Sequence, residues 1–161
     1  MKPLLIQLGE TVGLSLKRRG ETVAVAESSS GGLISAALLG MGGASAYYLG
    51  GGVIYTAKAR FSLLELPREA VAGMRSASEP YAQFMARTVR ERMASTWGLA
   101  ETGATGPSGN AYGDAAGHCC VAVSGPASLS LVIETGHGNR AANMETFRDT
   151  ALKLLLEALK A

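Results

Sequence analysis

The sequence of 161 residues predicts an α/β fold, a three-layer α/β/α arrangement with a mixed, mostly parallel sheet and a late antiparallel hairpin. Helix-like and strand-like segments alternate in the first part of the chain, as in parallel crossovers. Two later strand-like segments are separated only by Ser124–Ala127, a turn that favours an antiparallel pair. We expect a single domain over 1–161, because this length is enough to bury a substantial core.

The first half of the chain predicts helix, strand, helix and strand in that order. Apolar residues at helical spacing over 4–19 indicate a first helix. A β-type alternation predicts a strand at 22–26, and an apolar run predicts a helix at 31–40. The segment Tyr47–Tyr55 is rich in β-formers but contains three consecutive glycines, which predicts a bent strand or one lying close to another backbone.

The second half begins with a short predicted helix at 57–64. A longer helix begins near Ser78, which suits the N-cap position, and its apolar face is predicted to include Trp97. The remaining elements are predicted strands at 98–102, 117–123 and 128–135 and a closing helix at 140–160.

Composition excludes several classes of protein. Charged residues make up 17%, hydrophobic residues 47%, the net charge is +2 and mean hydropathy is +0.17, so we expect neither disorder nor an electrostatic nucleic-acid binder. No apolar run approaches the length of a membrane span, and residues 1–3 lack the organisation of a signal peptide. These features predict a cytoplasmic protein with no membrane partner.

The cysteines and histidines do not indicate a metal enzyme. Cys119 and Cys120 are adjacent in a predicted strand, so their side chains point to opposite faces and favour small buried residues over a disulfide or a metal site. Neither His118 nor His137 has a ligand-type neighbour at position i+3 or i+4. Because no dinucleotide fingerprint follows a strand either, we expect no metal and no cofactor.

The most informative segment is Ala26–Gly32, which reads Ala-Glu-Ser-Ser-Ser-Gly-Gly between a strand and a helix. This arrangement leaves free backbone N–H groups at a helix N-terminus. The serines can cap the helix, bind a polar ligand or do both, and on composition alone Ser28 and Ser30 favour turn and N-cap roles. Ser45 likewise suits an ordinary turn or N-cap.

Four segments in order make the chain resemble one known family. They are Ala26–Gly32 (in the family Ala-Glu-Ser-Cys-Thr-Gly-Gly), Gly43–Tyr47, Ser76–Glu79 (Ala-Val-Ser-Glu) and Thr102–Gly109 (Thr-Gly-Ile-Ala-Gly-Pro-Gly-Gly). The chain resembles the CinA C-terminal domain family, whose enzymatic members are nicotinamide-nucleotide amidases (NMN deamidases). Longer members carry a separate N-terminal domain, whose activity we do not expect here.

The resemblance implies a serine hydrolase that converts NMN to nicotinate mononucleotide and ammonia. It places the nucleophile on Ser45 and a tyrosine near the reacting centre on Tyr55. It also implies a homodimer, in agreement with the prevalence of symmetric dimers. The substrate-binding positions that it implies are Ser28, Ser30, Gly31, Thr102, Gly103, Gly106 and Arg140.

One departure from the family bears on the chemistry. The lysine that pairs with the nucleophile in the family falls on Arg60, and the nearby Lys58 is two residues away, so it points in a different direction. A serine hydroxyl needs a base to take its proton, and a guanidinium stays protonated in proteins. Three hypotheses follow: an amidase with Lys58 or an unusual base, a catalytically silent nucleotide binder, or an interaction module. We expect Ser28, Ser45, Tyr55, Thr102 and Gly103–Gly109 to converge on one cleft above the sheet, at the ends of the strands.

Overall fold

A computed structural model describes residues 4–161, and side chains from residue 7 onward. The helices are α1 (Leu4–Arg19), α2 (Leu33–Leu39), α3 (Ala57–Leu64), α4 (Glu79–Met93) and α5 (Arg140–Lys160), with short 3₁₀ helices at Ala44–Ala46 and Arg68–Val71. The strands are β1 (Val23–Glu27), β2 (Tyr48–Val53), β3 (Trp97–Ala104), β4 (His118–Ser124) and β5 (Leu129–Glu134).

The strands form one mixed sheet in the order β2-β1-β3-β4-β5. β1 pairs in parallel with both β2 and β3, whereas β4 runs antiparallel to both β3 and β5. Only β4 therefore opposes the direction of the other strands, which confirms the predicted mixed sheet and the late hairpin. The chain passes from β1 to β2 on one side and then crosses to β3 on the other, so the sheet has a switch point between β1 and β3.

Helices cover both faces of the sheet, as the three-layer prediction requires. The first core lies under α1, α2 and α5, and its largest fully buried side chains are Trp97, Tyr47 and Phe147. The second core lies under α4. Cys119 belongs to the first core and Cys120 to the second, and both are free thiols, which confirms that they point to opposite faces. No helix within residues 4–161 combines the length and apolar character needed to cross a bilayer.

Two local predictions differ from the structure. Trp97 is not on the apolar face of α4, because that helix ends at Met93, Ala94 adopts a left-handed conformation with φ 51° and Trp97 begins β3. β2 is shorter than the predicted Tyr47–Tyr55 and has a bulge in its pairing with β1. Its glycines do allow a close backbone approach, since a Cβ at Gly51 would collide with the Val25 carbonyl.

Candidate functional site

The turn Ser28–Ser30, which follows β1, is bound by the buried carboxylate of Glu101 on β3. Glu101, which is 2% exposed, accepts hydrogen bonds from the backbone N–H groups of Ser28 and Ser30, each at 3.0 Å. The hydroxyls of Ser29 and Ser30 also bond to it. Burial raises the pKa of Glu101, and the hydrogen bonds from the serines offset part of that rise. The turn is therefore fixed across the switch point between β1 and β3.

A second buried carboxylate occupies the N-terminus of α2. Glu27, 1% exposed, accepts from the backbone N–H groups of Gly32 (3.1 Å), Ile34 (2.9 Å) and Ser35 (2.8 Å). We expect free backbone N–H groups at this helix N-terminus, but the N–H groups of Gly32, Ile34 and Ser35 are not free. They donate hydrogen bonds to the Glu27 carboxylate and so do not face a ligand. The serines do not cap the helix either, since the N-cap is Gly32 and makes no side-chain cap hydrogen bond.

The Ser30 hydroxyl lies between the two buried carboxylates, Glu27 and Glu101. This fully buried hydroxyl lies 2.7 Å from Glu27 Oε1 and 2.8 Å from Glu101 Oε2. Ser28 is only partly buried, and Gly31 borders α5, where a Cβ would meet the Met144 methyl group at 2.8 Å. Of the predicted substrate contacts in this turn, Ser30 is enclosed and Ser28 remains accessible.

A polar cleft of about 230 Å³ opens beyond the end of β3. It is lined by Tyr55, Gly103, Ala104, Thr105, Gly106, Ser108, Gly109, Asn110 and Arg140. The Arg140 guanidinium donates to the Gly106 carbonyl at 2.5 Å and to the Tyr55 hydroxyl at 3.4 Å. The structure thus brings Tyr55 and the glycine-rich loop of the predicted convergence together with Arg140, at the carboxyl edge of the parallel strands. Ser28, Ser45 and Thr102, which the prediction also places here, do not line this cleft.

The cleft is supported by Asn143 on the first turns of α5. This fully buried amide donates to the carbonyls of Thr105 and His137, both at 2.8 Å, and accepts from the Thr135 hydroxyl at 2.7 Å. The Thr105 hydroxyl is the one buried side-chain polar atom without a hydrogen-bond partner among the residues that the structure describes. An unpaired hydroxyl therefore lies in the wall of the cleft.

Thr102 lies beneath a different loop. Its hydroxyl accepts the backbone N–H of Ala77 at 3.0 Å, and the residue is 4% exposed. Because Thr102 does not line the cleft, it positions the loop before α4 rather than meeting a ligand directly. The next residue, Gly103, does line the cleft, and a Cβ there would collide with the His118 carbonyl.

Ser45 is not part of this cleft within one chain. Ser45 precedes β2, whereas Ser28 follows β1, and these strands are parallel with Val23 opposite Tyr48. The two serines therefore lie at opposite ends of the sheet, separated along the strands by at least about 16 Å at about 3.3 Å per residue. The predicted convergence of Ser45 with the other positions is wrong for a single chain, because β2 runs between Ser45 and Tyr55.

Arg60 and Lys58 lie on α3, which follows β2 at the end of the sheet opposite Ser45. Arg60 donates to the Tyr81 hydroxyl at 3.0 Å and its guanidinium stands 5.5 Å from the centre of the Tyr81 ring. Lys58 is exposed, and both side chains line a separate surface cleft of about 280 Å³ that includes neither Ser45 nor Tyr55. No base candidate on α3 is thus aligned with Ser45 of the same chain.

Sequence reasoning missed three residues that organise the site. A charged residue in a strand of small and apolar residues is a signal for the buried Glu101. Asn143 has no comparable signal, because an asparagine on a helix is ordinarily exposed. His118 has no ligand-type neighbour at position i+3 or i+4 to mark it, and the structure buries it at 6% exposure. In the described part of the chain, no three His, Cys, Asp or Glu side chains are grouped to hold a metal ion.

Comparison with known proteins places this geometry in one family. Solved structures with the same fold include a competence-damaged protein (CinA) superfamily protein from Klebsiella pneumoniae, with a TM-score of 0.88, 25% identity and coverage of 97% of this chain and 98% of that one. Another is the competence/damage inducible protein CihA from Agrobacterium tumefaciens, with a TM-score of 0.88, 27% identity and coverage of 100% and 98%.

Sequence relatives agree with the structural ones. A CinA-like protein of Chlorobium limicola is 36% identical over 151 residues, which are 91% of this chain and 35% of that protein. One from Anaeromyxobacter is 36% identical over 154 residues, or 96% and 38% of the two chains. The chain thus spans little more than a third of these relatives. A family model described as the CinA C-terminal domain matches residues 5–159, and the chain belongs to that family.

Proposed function

We propose that this chain binds nicotinamide mononucleotide in the polar cleft and hydrolyses its carboxamide slowly or not at all. The observation that carries the proposal is the convergence of Arg140, Tyr55 and the Gly103–Gly109 loop at one mouth. This mouth lies at the carboxyl edge of the parallel strands, beside the switch point between β1 and β3, where open α/β sheets bind ligands.

The chemistry of the cleft suits an anionic nucleotide. Arg140 is exposed and belongs to the first turn of α5, so its charge adds to the positive end of the helix dipole. A guanidinium offers two parallel N–H donors to a phosphate. Tyr55 and Asn110 supply further hydrogen-bonding groups at the rim for a sugar or a carboxamide.

The proposal of slow or absent turnover rests on the position of Ser45 and on the lack of a base at Arg60. Ser45 lies at the far end of β2 from the cleft. Arg60 is bonded to Tyr81, and a guanidinium does not accept a proton at neutral pH. General-base assistance is worth about 100- to 10,000-fold, so a site without it is strongly impaired.

Calorimetric titration with NMN tests the binding proposal. We expect NMN to bind, nicotinamide riboside to bind at least about tenfold more weakly, and Arg140→Ala to weaken NMN binding by about 10- to 100-fold, because a charge-assisted phosphate contact is lost. Arg87→Ala is the matched control, since Arg87 is exposed on α4, its guanidinium stands 5.9 Å from the centre of the Phe84 ring, and it does not line the polar cleft. Equal NMN binding by wild type and Arg140→Ala would contradict the proposal.

A second candidate is an amidase completed by a second copy of the chain. The position of β2 favours it: β2 is an edge strand with Ser45 at one end and Tyr55 at the other. In an amidase that uses both residues, Ser45 has to come from a neighbouring protomer. Mixing Ser45→Ala with Tyr55→Phe tests this candidate, because mixed dimers restore one intact site and hence ammonia release, whereas each variant alone has none.

A further inference from the structure

His118 on β4 is buried with both ring nitrogens facing acceptors. The residue is 6% exposed. Its Nδ1 lies 2.5 Å from Glu134 Oε1 and its Nε2 lies 2.8 Å from the Ala77 carbonyl oxygen. A carboxylate and a carbonyl have no proton to give, so both ring nitrogens must donate. Only the imidazolium form carries two N–H groups.

The groups around His118 favour that cation. Glu134 faces it from β5, and Asp114 Oδ2, from the loop before β4, lies 3.7 Å from Nε2. The Cys120 thiol is 3.6 Å from Nε2, and burial is the main cause that raises its pKa to about 12, so it stays neutral. Arg75 is the nearby opposing charge, but it is neutralised by two contacts with Asp114 at 2.6 and 3.1 Å. Glu79, at the start of α4, adds a further negative charge near Cys120.

Two contacts connect His118 to the polar cleft. Ala77, whose carbonyl it holds, has a left-handed φ of 56° and gives its N–H to Thr102, the residue before Gly103 of the cleft wall. Asp114 accepts from the side-chain amide of Asn110 at 2.8 Å, and Asn110 lines the cleft. The imidazolium thus supports both the loop under Thr102 and the loop that carries Asn110.

We propose that protonated His118 is a positioning residue of the cleft, which holds Ala77 and Asp114 in place and releases part of this support when it loses its proton. A neutral imidazole keeps only one N–H, so either the Ala77 or the Glu134 contact loses its donor. Ligand binding in the cleft should therefore weaken as the pH rises. The effect on NMN rests on the proposed function, whereas the effect on the loops does not.

The direction of the pKa shift of His118 agrees with the hydrogen-bond geometry. Burial disfavours the cation, but the hydrogen bonds to Glu134 and Ala77 and the charges of Asp114 and Glu134 outweigh it, so the pKa of His118 lies above its ordinary value. A raised pKa in the folded state means that the contribution to stability is complete below the unfolded pKa and is lost as the pH rises through the folded pKa.

Amide hydrogen exchange from about pH 6 to about pH 8.5 tests the loop support. The N–H groups of Ala77 and Asn110 are good reporters, because they bond to Thr102 and to the Asp114 carbonyl. After correction for intrinsic exchange, we expect their protection in wild type to fall by about tenfold across this range, as in a local opening. His118→Asn should show weaker and pH-independent protection. His137→Gln, a change at the exposed histidine, should keep the pH dependence of wild type.

NMN affinity over the same range separates the two proposals. We expect the wild-type affinity to fall with pH more steeply than that of His118→Asn, and the phosphate of the ligand titrates identically in both measurements. Failure of NMN to bind at any pH would refute the proposed function, while amide exchange would still decide the role of His118.

Two results would overturn the role of His118: equal pH dependence of protection in wild type and His118→Asn, or a neutral ring at about pH 6 in the imidazole nitrogen spectrum of wild type. The spectrum is recorded on wild type and needs no substitution. If His118→Asn does not fold, His118→Gln offers a second variant with an uncharged amide at this position.

Discussion

Glu101 on β3 accepts hydrogen bonds from both the backbone N–H and the hydroxyl of Ser30, at 3.0 and 2.8 Å. This pair joins the turn after β1 to the neighbouring strand at the switch point of the sheet. The serine that sequence similarity suggests as a ligand contact is therefore part of the scaffold. The polar cleft lies beside it, after β3.

Two substitutions of Glu101 should distinguish the effect of its hydrogen-bond acceptor on stability from the effect of its charge. Glu101→Ala leaves the partly buried N–H of Ser28 and the buried N–H of Ser30 without an acceptor, so we expect the free energy of unfolding to fall by about 3 kcal/mol. Glu101→Gln retains an oxygen for both N–H groups and an amide that donates to the Ser29 hydroxyl, and it should cost about 1 kcal/mol or less. Urea denaturation measures both, and equal losses would contradict the role of the acceptor.

The pH dependence of stability should report the same carboxyl. Burial raises the pKa of Glu101 despite the hydrogen bonds from Ser29, Ser30 and Ser28. Its favourable contribution is complete below the unfolded pKa and is lost as the pH rises through the folded pKa. We therefore expect wild type to lose stability relative to Glu101→Gln as the pH rises above the ordinary carboxyl range. A wild type that gains on the variant over that range would show that the sign is wrong.

Asn143 should be required for the shape of the cleft. Asn143→Asp replaces the amide that donates to the Thr105 and His137 carbonyls with an acceptor, which leaves oxygens facing oxygens. We expect a loss of about 3 kcal/mol in the free energy of unfolding and weaker NMN binding in the fraction that remains folded. Glu157→Gln on the same helix is the matched control, because Glu157 is exposed and bonds the exposed Lys160. A folded Asn143→Asp variant with wild-type affinity would contradict this role.

The Thr105 hydroxyl should contribute nothing to the stability of the ligand-free protein. Thr105 is 2% exposed, and its hydroxyl has no hydrogen-bond partner within the described residues. Thr105→Val keeps the shape and removes the unpaired group, so we expect unfolding to become harder by up to about 1 kcal/mol. Thermal unfolding without ligand measures the change, and a clear destabilisation would reveal a partner for this hydroxyl.

Much of the fold is predictable from the sequence because its signals are local. Helical spacing predicts α1 and α5, the Ser78 cap predicts the start of α4, and the four-residue turn predicts the last hairpin. The spacing of Trp97 continues the apolar face of α4 and so predicts, wrongly, that it lies on that helix. The reversal at Ala94, a residue with no turn preference, leaves no such pattern.

The site is less predictable because it depends on long-range pairing. Tyr55 and Arg140 are 85 residues apart in sequence and meet through their side chains. The resemblance to the family implies a site role for both of them and for the glycine-rich loop, but it does not predict their contact. The separation of Ser45 from the cleft depends on the parallel pairing of β1 and β2, which no motif encodes. The buried partners of Ser30 likewise depend on how β3 pairs with β1.

Parallel measurements of NMN binding and ammonia release test the account most directly, in wild type, Ser45→Ala, Lys58→Ala and Arg60→Lys. We predict that wild type and Ser45→Ala bind NMN with equal affinity, and that wild type releases ammonia at least about 100-fold more slowly than relatives with lysine at the Arg60 position. Arg60→Lys restores at most part of the activity, because Ser45 of the same chain remains distant. Rapid release by wild type that is lost in both Ser45→Ala and Lys58→Ala would contradict the account and identify Lys58 as the base.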